Sequence, residues 1–144
     1  PSLIHGVMFT QSLAVHGYGM HIDNPYMPSG RSDLSFTLFL NAPEDYEGGE
    51  LCIQTINKTE KIKLSAGEMI IYPSTQLHSV AEVKDGERHV CVGWIQSYVQ
   101  NNEDRNFLFG LDAGAKGLLA KHGRSDELDL IFQAYSNILR RLGD

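Results

Sequence analysis

The sequence predicts a mainly β fold, a sandwich or barrel, followed by packed helices, and three observations carry that expectation. From Ser2 to Val99, short β-prone runs are broken repeatedly by Gly, Pro, Asn and Asp, the signature of many short strands joined by turns. Beyond Val99 the alternation stops and helical periodicity replaces it. The chain has 144 residues, about one domain's length and enough to bury an apolar core without disulfide or metal staples. A single domain over 1–144 is therefore expected, with strands over about 2–99 and helices over about 101–142.

Each element has its own signal. Residues Arg31 to Leu40 alternate, with Leu34, Phe36, Leu38 and Leu40 on one face and Asp33, Ser35 and Thr37 on the other, which reads as a half-buried strand. Asn41 to Gly49 is turn-rich, Glu50 to Ile56 reads as a strand, and Lys61 to Leu64 as another before the Ala66-Gly67 turn. Met69 to Tyr72 is a short apolar strand stopped by Pro73. Arg88 to Ile95 alternates again and sets Arg88, Val90, Val92 and Trp94 on one face.

In the last third, Ser125 followed by Asp126 and Glu127 reads as a helix N-cap with an acidic first turn. It leads into Leu128, Ile131, Phe132, Tyr135, Ile138 and Leu139, an amphipathic helix. A weaker helical stretch over Glu103 to Lys121 contains Gly110, Gly114 and Gly117, each costing roughly 1 kcal/mol relative to Ala. With no repeat or linker in the chain, these helices are expected to pack on the β unit.

Composition narrows the function. The formal net charge of -6 argues against nucleic acid, because phosphate binding needs a basic surface. Cys52 and Cys91 lie 39 positions apart, each inside an apolar stretch, which predicts two buried free thiols in a reducing compartment. No apolar run approaches the roughly 18 residues of a membrane span, and no signal peptide is visible, so a cytoplasmic protein without a membrane partner is expected. The chain opens at Pro1 without a methionine, which is compatible with a further N-terminal segment.

The chemistry begins with His21-Ile22-Asp23. In an extended chain, residues i and i+2 project to the same side, so the imidazole and the carboxylate can reach one ion. The pair alone is a weak signal, since Asn24 and Pro25 already mark a turn. His78, in IYPSTQLHSV just past a buried-looking strand, supplies a third ligand able to fold back onto the first two. Two His and one carboxylate on one face of an ion, with the opposite positions open, form the facial triad of Fe(II) oxygenases. Structural zinc would want four protein ligands, usually with Cys, and neither cysteine sits in a C-x-x-C pattern. Arg88 follows His78 by ten residues, and an arginine turned into a barrel is costly unless it meets an anion that its planar fork can grip.

These motifs together resemble the bacterial PKHD-type hydroxylases, relatives of prolyl 4-hydroxylase among the Fe(II)/2-oxoglutarate dioxygenases. The resemblance runs from about Gly17 to Asp112, through YGMHIDN (18–24), RSDLSFTLFLNAPEDYEGGEL (31–51), KLSAGEMIIYPSTQLHSV (63–80), GERHV (86–90) and WIQSYV (94–99). It implies a double-stranded β-helix, or jelly roll, with C-terminal flanking helices. It makes His21, Asp23 and His78 the iron ligands, Arg88 the partner of the distal 2-oxoglutarate carboxylate, and Tyr18 a further contact to that co-substrate. The implied cofactors and co-substrates are Fe(II), 2-oxoglutarate and O2, with ascorbate as an accessory reductant. The implied reaction is hydroxylation of a prolyl or lysyl residue or a small metabolite, with release of succinate and CO2. Gly48 and Gly49 match a family loop whose glycines permit positive φ. The rival from another class is a cupin-like module that binds a metal and a small molecule without turnover, and Arg88 argues against it.

Overall fold

Twelve strands and two helices make up the chain. The computed structural model describes residues 1–144, in two compact units, Pro1–Gln96 and Ser97–Asp144.

The first unit contains β1 (Leu3–Ser12), β2 (Tyr18–His21), β3 (Tyr26–Met27), β4 (Gly30–Arg31), β5 (Leu34–Phe39), β6 (Tyr46–Gly48), β7 (Leu51–Gln54), β8 (Thr59–Ile62), β9 (Met69–Pro73), β10 (His78–Val80), β11 (Val83–Gly86) and β12 (Arg88–Gln96). They form two four-stranded sheets, ordered β1-β12-β5-β9 and β2-β10-β7-β8, and two short ribbons, β11-β6 and β3-β4. Every pairing is antiparallel. Sequence neighbours are rarely sheet neighbours because the chain crosses between the sheets, which is the double-stranded β-helix.

The core sits between the sheets and also behind one of them. Leu51 and Ile53 of β7 pack against Tyr72 of β9, with Ile62, Ile70 and Val80 closing around them. On the other face of the first sheet, Phe36, Cys91 and Ile95 form a second cluster with Leu34 and Leu38. Cys52 and Cys91 are both free and buried.

Two elements differ from the sequence reading. The alternation of β5 is present, but its polar side is the better buried. Ser35 and Thr37 are buried whereas Leu34 and Leu38 are only half-buried, because the polar side faces the cavity described below, where there are groups to hydrogen-bond. The Asn41–Gly49 stretch is not all turn. It holds a single 3-10 turn at Pro43–Asp45 and then β6, which pairs with β11. Strands this short, rich in Gly and acidic residues, carry no alternation to detect.

The second unit is a pair of helices, α1 (Asn102–His122) and α2 (Asp126–Leu142), packed on each other. Asn101 caps α1, its side chain accepting from the Glu103 and Asp104 amides, and Ser125 caps α2 by accepting from Leu128 N. Each helix has acidic residues in its first turn and basic ones in its last, matching the helix dipole. The α1 glycines do not interrupt it; a Cβ added at Gly110, Gly114 or Gly117 would meet nothing within 4 Å. No helix is long and apolar enough to cross a membrane.

Candidate metal centre

β2 ends on His21 and β10 begins on His78, and the antiparallel register sets these two residues opposite each other. Their rings lie 4.3 Å apart, centroid to centroid. Asp23 follows just past the end of β2, in a loop anchored where the Ser32 hydroxyl donates to the Asn24 carbonyl. Asp23 Oδ1 then lies 3.7 Å from His21 Nε2 and 3.6 Å from His78 Nε2. His21, Asp23 and His78 thus converge, their candidate ligand atoms all within 4.8 Å of one another.

Hydrogen bonding fixes which ring nitrogens face the centre. His21 Nδ1 is 2.7 Å from the Gly19 carbonyl and His78 Nδ1 is 2.9 Å from the Gln76 carbonyl. A carbonyl can only accept, so both Nδ1 atoms carry the proton. Both Nε2 lone pairs are left for a metal.

The carboxylate is oriented by donors that the sequence reading missed. Asp23 Oδ2 accepts from Ser35 Oγ at 2.5 Å and from Trp94 Nε1 at 3.0 Å. Ser35 has given its hydrogen to Asp23, so the 2.7 Å contact between Ser35 Oγ and Ser74 Oγ is donated by Ser74. Oδ2 is thereby engaged, and Oδ1 is turned to the imidazoles. Tyr72 lies edge-on to His78 at 5.0 Å between ring centroids. Burial pushes the Tyr72 hydroxyl pKa upward and the nearby Asp23 charge adds to the rise, so the phenol stays neutral.

This donor set fits a divalent ion. Cis ligands at about 2.1 Å from a metal stand roughly 3 Å apart, somewhat closer than the separations here. Rotation of the His21 ring would close the gap, and its side chain is 44% exposed against 6% for His78. Two neutral imidazoles and one carboxylate, with open positions opposite, suit Fe(II).

A cavity of about 210 Å³ opens on the trio and is also lined by Thr37, Tyr72 and Arg88. Arg88 starts β12 opposite Ser12 and is only 3% exposed. Burial pulls its pKa down, with Tyr46, Tyr72 and Tyr18 nearby to moderate the shift. No carboxylate is among those neighbours, and Arg88 Nε lacks a hydrogen-bond partner. A buried guanidinium in that state is costly unless an anion meets it. Tyr18, the other expected co-substrate contact, lines the same cavity but is 61% exposed.

The expected loop glycines both have positive φ, 76° at Gly48 and 68° at Gly49. The remaining histidines lie outside the centre. His5 is buried between the Ser29 hydroxyl and the Arg31 carbonyl, His16 accepts from the Leu13 amide within a turn, and His89 pairs with Glu87.

Comparison with known proteins identifies the family to which the chain belongs. Residues 7–96 match the family described as the 2OG-Fe(II) oxygenase superfamily. The whole chain is 98% identical to a PKHD-type hydroxylase of Prochlorococcus marinus (strain NATL2A) and 72% identical to one of strain MIT 9211, covering 65% of each. The chain therefore spans just under two thirds of these relatives. Among solved structures, a prolyl-4-hydroxylase from Pseudomonas putida is similar with TM-score 0.53 and 24% identity, over 62% of this chain and 51% of that one. A prolyl hydroxylase from Trichoplax adhaerens, in complex with a hypoxia inducible factor oxygen degradation domain peptide fragment, is similar with TM-score 0.52 and 26% identity, over 64% and 44%.

Proposed function

Because the chain belongs to the 2OG-Fe(II) oxygenase superfamily, we propose that it forms the catalytic core of a 2-oxoglutarate-dependent hydroxylase in which His21, Asp23 and His78 hold ferrous iron. One observation carries this reading. A buried arginine without a protein counter-anion opens on the same cavity as a His-Asp-His trio whose lone pairs converge.

The residues divide the work. His21 and His78 present Nε2, with the tautomer held by backbone carbonyls. Asp23 presents Oδ1 while Ser35 and Trp94 occupy Oδ2. Arg88 offers its fork to the distal carboxylate of 2-oxoglutarate, bidentate recognition for which Lys would be a poor substitute. Tyr18 sits at the rim of the same cavity and is a second candidate contact. Iron held there would supply the redox chemistry by which 2-oxoglutarate, O2 and a substrate C–H become succinate, CO2 and an alcohol. The protein contributes position, charge and a walled cavity.

The substrate class is a small molecule or a peptidyl residue. The peptide-bound neighbour from Trichoplax adhaerens supports the second.

The test is succinate release from 2-oxoglutarate with Fe(II) and ascorbate. Slow turnover is expected without substrate, and none with His78→Ala. Turnover that persists in His78→Ala removes that residue from the metal centre, and turnover indifferent to Fe(II) overturns the reading.

A further inference from the structure

Tyr46 Oη and Arg88 Nε are both buried and both lack a hydrogen-bond partner. Such atoms are few in native proteins, and each costs free energy unless something satisfies it. These two are neighbours by topology. Tyr46 in β6 stands opposite Gly86 in β11, and Arg88 begins β12 two residues later. Gly49 lets them approach, since a Cβ there would lie 3.1 Å from both Arg88 Cδ and the Tyr46 ring. The ring is anchored by Lys63, whose Nζ donates to the Tyr46 carbonyl at 2.5 Å and sits 4.0 Å from the ring centroid.

The pair is chemically complementary: an N–H donor beside a phenol oxygen, near enough for the guanidinium and the hydroxyl to attract each other yet short of full hydrogen-bond geometry. We propose that Tyr46 is the positioning residue of the anion site: when a dicarboxylate enters, Arg88 Nε–H donates to the Tyr46 hydroxyl, which turns the two terminal nitrogens of the fork toward the ligand. This rests on the reading of Arg88 as the 2-oxoglutarate partner. A phenol suits the task better than a carboxylate, because a carboxylate behind Arg88 would neutralise the charge that the ligand needs. Burial raises the Tyr46 pKa, which keeps the group neutral and leaves the guanidinium charge to the ligand.

The experiment is calorimetry on the Mn(II)-loaded protein with two probes. One is 2-oxoglutarate, and the other is 2-oxopentanoate, which has the same carbon chain and no distal carboxylate. Tyr46→Phe is expected to weaken 2-oxoglutarate about tenfold, the loss of one hydrogen bond to a charged group, and to leave 2-oxopentanoate unchanged. Tyr46→His, which keeps a ring acceptor, is expected to recover part of the loss. In an Arg88→Lys background, which has no Nε–H of the same kind, Tyr46→Phe should have no further effect.

Equal 2-oxoglutarate binding by Tyr46→Phe and the parent overturns the proposal. So does a parallel loss of both probes in Tyr46→Phe and Tyr46→His, which would mark a merely structural tyrosine. A parent protein that binds 2-oxopentanoate as well as 2-oxoglutarate overturns the reading of Arg88 itself.

Discussion

Trp94 donates its indole N–H to Asp23 Oδ2 at 3.0 Å, across 71 positions of sequence. The bond joins β12 of one sheet to the loop after β2 of the other, and together with Ser35 it decides which carboxylate oxygen faces the histidines.

Trp94→Phe keeps an aromatic ring and deletes the donor. Loss of such an outer partner typically weakens metal binding about 10- to 100-fold. We expect a loss near the lower figure, since Ser35 remains, with unchanged far-ultraviolet circular dichroism. Mn(II) titration is the measurement, and unaltered affinity would show that Trp94 does not orient the ligand.

The phenols predict an alkaline limit to stability. Burial is the chief cause raising the pKa of both Tyr72 and Tyr46 above the ordinary value of 10.0. Above that pH the unfolded chain releases these protons while the native state keeps them. Stability is therefore whole below about pH 10 and falls as pH climbs toward the raised native values. Urea midpoints measured across that range should decline, and the decline should be shallower in Tyr72→Phe. An identical slope in the variant would rule out Tyr72 as a contributor.

In α1, Gly114→Ala should stabilise. The added methyl meets nothing within 4 Å, and the exchange in a helix interior is worth roughly 1 kcal/mol. Urea denaturation monitored by helical ellipticity tests it, and a destabilised variant would show that the position is not open.

Gly48→Ala should do the reverse. Its φ of 76° disfavours any Cβ, and that atom would stand 2.2 Å from the Glu82 carbonyl oxygen. We expect a loss of at least about 2 kcal/mol from backbone strain plus displacement of β11. A midpoint equal to the parent's would contradict the tight β6-β11 approach.

The sequence made some of this legible and hid the rest for physical reasons. The convergence of His21, Asp23 and His78 could be read because His21 and Asp23 have the i, i+2 spacing of one strand side and His78 follows a recognisable strand. Arg88 could be read because it shares the alternation of Trp94. Ser35, Ser74 and the indole of Trp94 could not, because their common target is distant in sequence and polar residues on an alternating strand look like a solvent face. β6 and β11 escaped for want of alternation, and the α1 glycines looked more disruptive than they are because their exposed positions do not show in a linear reading. Tyr46 stood inside a stretch read as turn, so nothing placed it beside Arg88 until β6 paired with β11.

The paired Gly19 and Gln76 carbonyls have one more implication. Because main-chain oxygens, not side chains, hold the imidazole tautomers, no replacement at positions 19 or 76 deletes the acceptor itself. Mutational drift can reshape the cavity wall while the imidazole tautomers of His21 and His78 persist for as long as the backbone at these two positions keeps its path.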